Sequence, residues 1–75
     1  MRLMEDKYKI PYIIACIRAF AKRFELPVKT AFSYLYRFKG IEFLDKYYEA
    51  EHLQSIEDAV DDLIILCKEK GGRLS

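Results

Sequence analysis

The single histidine of the chain, His52, lies in the stretch "YYEAEHLQS", residues 47–55, among tyrosines and glutamates with which it could share chemistry. Glu49 and His52 are spaced i, i+3, the pair that helices use in di-metal carboxylate centres. Such a centre needs a second Glu-x-x-His and two more inward glutamates, and the chain has no second histidine. Nucleophile candidates are Thr30, Ser33, Ser55, Cys16 and Cys67, with His52 alone able to serve as a classical base. Ser55, the nearest of them, is better placed to cap a helix. Gly71-Gly72 reads as a helix stop rather than a phosphate cradle. The expectation is therefore a non-enzymatic chain with no cofactor and no metal. His52 is read as structural, a helix-terminal ring at the core edge with one nitrogen bonded to a carbonyl.

The elements that would position these residues follow from periodicity. Ile10, Ile13, Ile14, Ile17, Phe20, Ala21 and Phe24 recur at helical spacing and predict a helix over 7–24, with Pro11 in its first turn. Tyr12, Ala15, Ala19, Lys22 and Arg23 fall on its opposite face. Pro27 opens a second helix over 27–39, buried through Val28, Ala31, Phe32, Leu35 and Phe38 and ended by Gly40. A third, over 41–52, carries Ile41, Leu44, Tyr48 and His52 on one stripe, with Phe43 and Tyr47 well round the cylinder. Ser55 and Asp58 form an Asp-containing capping box for a fourth helix over 56–70. Its stripe is Ile56, Ala59, Val60, Leu63 and Cys67, and Ile65 stands alone in an outer ridge of Asp58, Asp61, Asp62 and Glu69. No strand-like alternation occurs. The predicted fold class is all-α, a single domain of four short helices over 1–75, with 1–6 a flexible N-terminus and 71–75 a tail.

Composition narrows the function classes. A chain of 75 residues buries only about 60% of its unfolded surface, which leaves little core for a deep pocket. The longest apolar run, Ile10 to Ile17, contains Pro11 and is far short of the roughly 20 residues a membrane span needs. No signal peptide precedes it, and two cysteines without metal spacing read as reduced. The expected location is cytoplasmic, away from membranes. The net charge of +1 hides an asymmetry: Lys and Arg dominate residues 1–40, Asp and Glu residues 41–75.

Two binding classes are compatible with that pattern. Eleven Phe and Tyr residues (six Tyr, five Phe) exceed what so small a core must hide, so a protein partner or a second copy of the chain could use the surplus. The candidate protein interface is Phe43, Tyr47, Ile65, Asp61 and Asp62. The alternative is a nucleic-acid regulator using a basic face of Lys22, Arg23, Lys29 and Arg37. The joint "FELPVKTAFSY" lacks the small-residue turn of a helix-turn-helix.

The stretch "FAKRFELPVKTAFSYLYRFKGIEFLDKYYEAEHLQSIEDAVDDLIILCKEKGG" resembles a family of short bacterial proteins classed as a domain of unknown function. The carriers are Ala31 with Tyr34-Leu35, Gly40-Ile41 with Phe43-Leu44, Tyr48 with His52, Asp58-Ala59-Val60, Cys67 and Gly71-Gly72. The resemblance implies an antitoxin-like setting, since members of that family often lie beside genes for ADP-ribosyltransferase-like proteins. It implies a small binding partner of a neighbouring gene product and supplies no catalytic residues.

Overall fold

Isoleucine, alanine and leucine at helical spacing need neighbours to cover them, and the chain provides these by folding back at three punctuated joints. The computed structural model describes residues 3–72, with side chains from Tyr8 onward. Five helices follow in order: α1 (Leu3–Arg23), α2 (Val28–Arg37), α3 (Gly40–Lys46), the single turn α4 (Tyr48–Glu51) and α5 (Ile56–Glu69). Four have seven or more residues, and no strand occurs among the described residues. The fold is all-α. No helix of the described residues is long and apolar enough to cross a membrane.

The first joint closes α1 with a Schellman-type turn. Glu25 takes a left-handed φ of 54°, and the Leu26 N–H donates to the Ala21 carbonyl at 2.8 Å. Pro27 then caps α2 in extended geometry. At the second joint the left-handed residue is Lys39, φ 70°, not Gly40, which instead begins α3. Gly40 is small for a different reason. A Cβ there would lie 2.9 Å from Leu35 Cδ2 and 3.2 Å from the Leu35 carbonyl oxygen, so glycine lets α3 close onto α2. At the third joint the Ser55 hydroxyl accepts the Asp58 N–H at 3.0 Å, as the capping pattern predicts.

α1 is the spine, contacting α2, α3 and α5. The core joins Cys16, Ile17, Phe20 and Ala21 to Ala31 and Leu35 of α2, Leu44 of α3, and Ala59, Val60, Leu63 and Cys67 of α5. Tyr34 stacks on Phe20 at 5.9 Å and Phe38 packs on Tyr34 at 4.8 Å, so part of the aromatic surplus belongs to this core.

Several expectations are corrected. α1 starts at Leu3, so residues 3–6 continue the helix and Pro11 is interior rather than in the first turn. Lys9, just past that extension, pairs with Asp45 at 3.0 Å and ties this end of α1 to α3. The residues 1–2 and 73–75, assigned to the terminus and the tail, lie outside the described residues. The helix predicted over 41–52 breaks at Tyr47, whose φ and ψ of −107° and 24° interrupt the α-helical phase. The break turns Glu51 inward and leaves His52 exposed, so His52 is not on the core stripe. Finally, Val28 and Phe32, read as buried, are exposed, as are Ile10 and Ile14 on the apolar stripe of α1. α2 has ten residues, about 15 Å of helix, and is too short to cover the whole apolar face of a 21-residue α1.

Candidate functional site

That uncovered face is a groove. Ile10, Ile13, Ile14 and Ile17 of α1 form one wall, Val28, Lys29 and Phe32 of α2 the other, and Ile41 of α3 closes one end. The space between them is about 470 Å³. Ile10, Ile14, Val28 and Phe32 are 56, 43, 48 and 45% exposed. Exposed apolar residues are ordinary when scattered singly; here four of them line one concavity. Among the described residues Lys29 is the one polar lining residue, and its long stem suits an apolar wall while its ammonium stays in water. Past Ile13 and Ile41 the groove continues into a second depression lined by Tyr36, Arg37, Lys39, Glu42 and Asp45.

None of the candidate interface residues Phe43, Tyr47, Ile65, Asp61 and Asp62 lines this groove. Phe43 and Tyr47 pack on each other, ring centroids 5.2 Å apart, with the Lys46 ammonium over the Tyr47 ring. Tyr47 and Ile65 are exposed. Asp61 and Asp62 turn to different partners: Asp61 pairs with Arg23 at 3.1 Å, and Asp62 accepts from Gln54 at 2.8 Å. The basic residues are likewise divided. Arg23 is engaged by α5, Lys29 lines the groove, and Arg37 sits at the far end of α2 against the Phe38 ring. Lys22 is exposed in the last turn of α1.

The polar chemistry of the interior lies elsewhere. Gln54 donates both protons of its amide nitrogen, one to Glu51 Oε1 and one to Asp62 Oδ2, each at 2.8 Å. Burial, and then the nearby Asp62 carboxylate, push the Glu51 carboxyl above its ordinary pKa. Tyr12, whose buried hydroxyl has the Cys16 thiol one turn on as its side-chain neighbour, faces the same cluster from α1. Burial raises its phenol far above the usual range, as it raises the Cys16 thiol. The Cys67 thiol is pushed up to about 11 by burial. Both cysteines are free and buried, and a buried thiol with a raised pKa is a poor nucleophile.

His52 stacks on Tyr48, centroids 4.5 Å apart and planes 11° from parallel. Its Nδ1 lies 2.7 Å from the Tyr48 carbonyl oxygen, so Nδ1 carries the proton and donates. Tyr48 in turn meets Tyr12 edge-on at 5.4 Å. Among the described residues, no group of three or more His, Cys, Asp or Glu side chains is arranged to hold a metal ion.

The fold is a small all-α domain with an apolar channel between α1, α2 and α3. The chain belongs to the DUF3791 family, described as a protein of unknown function, whose model matches residues 11–70. That span holds every groove residue except Ile10. No curated protein and no solved structure matches the chain.

Proposed function

We propose that this chain is a non-enzymatic protein-interaction module that takes an apolar ridge of another protein into the α1–α2–α3 groove. One observation carries the reading: four large apolar side chains, each two-fifths or more exposed, line a single concavity with hydrocarbon. Burial of such surface contributes about 25 cal/mol per Å² to association. In finer form the module is antitoxin-like and cytoplasmic, restraining the product of a neighbouring gene by occupying one of its helices.

The nucleic-acid reading is weaker. A hydrocarbon floor offers phosphates nothing, and Arg23 is already committed to Asp61. The test is co-purification from the native host with wild type and with the Ile14→Asp, Phe32→Asp double variant. Wild type is expected to carry a stoichiometric partner encoded next to it, and the variant to lose it while keeping its helical circular dichroism. A strictly monomeric wild type with no partner, and identical behaviour of the variant, would sink the reading.

A further inference from the structure

The groove also describes its occupant, an inference that rests on the docking reading above. We propose that the occupant is an amphipathic helix of a different protein, with carboxylates bordering its apolar ridge.

Helical form follows from the lining. Seven of its eight residues present only hydrocarbon side chains, and Lys29 can only donate. An extended segment would bring unpaired backbone N–H and C=O groups against a wall with nothing to bond them. A helix satisfies those groups internally and offers only side chains. The α1 wall from Ile10 to Ile17 runs about 10 Å, long enough for anchors one and two turns apart on a docked helix.

The carboxylate borders follow from the rim. Lys29 lines one wall. Arg18 is exposed one turn past Ile14 on the same flank of α1. Arg37 and Lys39 line the continuing depression. Against these cations stand Glu42 and Asp45, and Asp45 is engaged by Lys9 at 3.0 Å. Among the described residues the surround is thus net positive, within a Debye length of any docked ridge, and it favours acidic flanks.

The same charges argue against a second copy. Groove against groove would set the Lys29 and Arg18 rims on their own like. The complementary surface within this chain is the acidic ridge of α5, but it offers Ile65 as a single anchor for a space of about 470 Å³. Its Asp61 and Asp62 are also occupied by Arg23 and Gln54. Such a head-to-tail contact would extend into filaments unless its rotation closed a ring. A flat anionic lipid surface meets the basic rim but cannot reach the floor of a concave groove.

The test uses two fluorescein-labelled synthetic peptides of about 16 residues, roughly 24 Å when helical. Both carry the same leucine ridge, one bordered by glutamate and the other by lysine, and anisotropy is read with the full chain. The glutamate-bordered peptide is expected to bind at least about tenfold more tightly, with the advantage shrinking as salt rises from about 0.05 to 0.5 M. Ile14→Asp should abolish binding of both peptides. Arg18→Glu with Lys29→Glu should reverse the preference. Equal affinity for both peptides would overturn the acidic-partner proposal while leaving the docking reading intact. Sedimentation showing a dimer that Ile14→Asp dissociates would assign the groove to a second copy and also overturn it. Binding to phosphatidylserine vesicles but to neither peptide would assign a membrane surface instead. No binding to peptide, vesicle or self would sink the docking reading itself.

Discussion

Replacing Glu51 with glutamine should make this protein more stable at neutral pH, although it removes a charged hydrogen-bond acceptor. Glu51 Oε1 and Asp62 Oδ2 each lie 2.8 Å from the same Gln54 nitrogen, so they are at most twice 2.8 Å apart. Two full charges at that separation repel by about 3 kcal/mol at an effective dielectric of about 20. The shared amide donor and the solvent still reaching the partly buried Asp62 offset much of this, leaving a net gain of about 1 kcal/mol on neutralising Glu51. A glutamine carbonyl keeps the Gln54 bond, and its amide can donate to Asp62. One kcal/mol corresponds to a rise in Tm of about 4–8 °C in a domain of this size.

The effect has a pH signature. Glu51 has a raised pKa in the folded chain, so the folded state holds its proton longer than the unfolded chain does. Its contribution to stability is complete below the ordinary value of 4.5 and is lost as pH rises through the raised folded value. The advantage of Glu51→Gln should therefore be smallest below the ordinary value of 4.5 and grow as the pH rises through the raised folded value. Urea denaturation midpoints at several pH values measure this directly. A variant less stable than wild type at neutral pH, or a difference that does not change with pH, would refute the reading of this cluster as a strained carboxylate pair.

Tyr12→Phe should leave the urea midpoint within the equivalent of about 1 kcal/mol of wild type, because the buried hydroxyl it deletes has only the weakly bonding Cys16 thiol beside it; a larger loss would mean that the hydroxyl has a stronger partner in solution. Ser55→Ala should cost about 1 kcal/mol by leaving the Asp58 N–H without its cap, read from the same curves and absent in Ser55→Asp. His52→Ala should cost at most about 1 kcal/mol, since the exposed ring contributes one hydrogen bond and one stacked face. If that variant folds normally but loses a copurifying partner, His52 belongs to an interface. Gly40→Val should be strongly destabilising in thermal unfolding, because its side chain has no room beside the Leu35 carbonyl.

Much of this fold was legible in the chain because local rules act over a few residues. Helical spacing identified α5 and its buried Ala59, Val60, Leu63 and Cys67, and Ser55 marked its start. The second half of α1 and the Pro27 joint were readable for the same reason. The Tyr47 break was not. Nothing in "LDKYYEAEH" forbids helix, and it is the packing of this segment against α1 and α5 that turns Glu51 inward.

The groove shows where the boundary lies. Amphipathic periodicity says which face of a helix is apolar, and by itself it established that Ile10, Ile14, Val28 and Phe32 lie on such faces. Whether an apolar face is covered depends on the lengths and crossing of neighbouring helices, quantities set by contacts far apart in sequence. Only the tertiary structure revealed that the apolar faces of α1 and α2 are not fully covered by their neighbours, leaving those four residues as surface. The sequence by itself determined an all-α domain and its capping; the packing decided which apolar residues became core and which became a site.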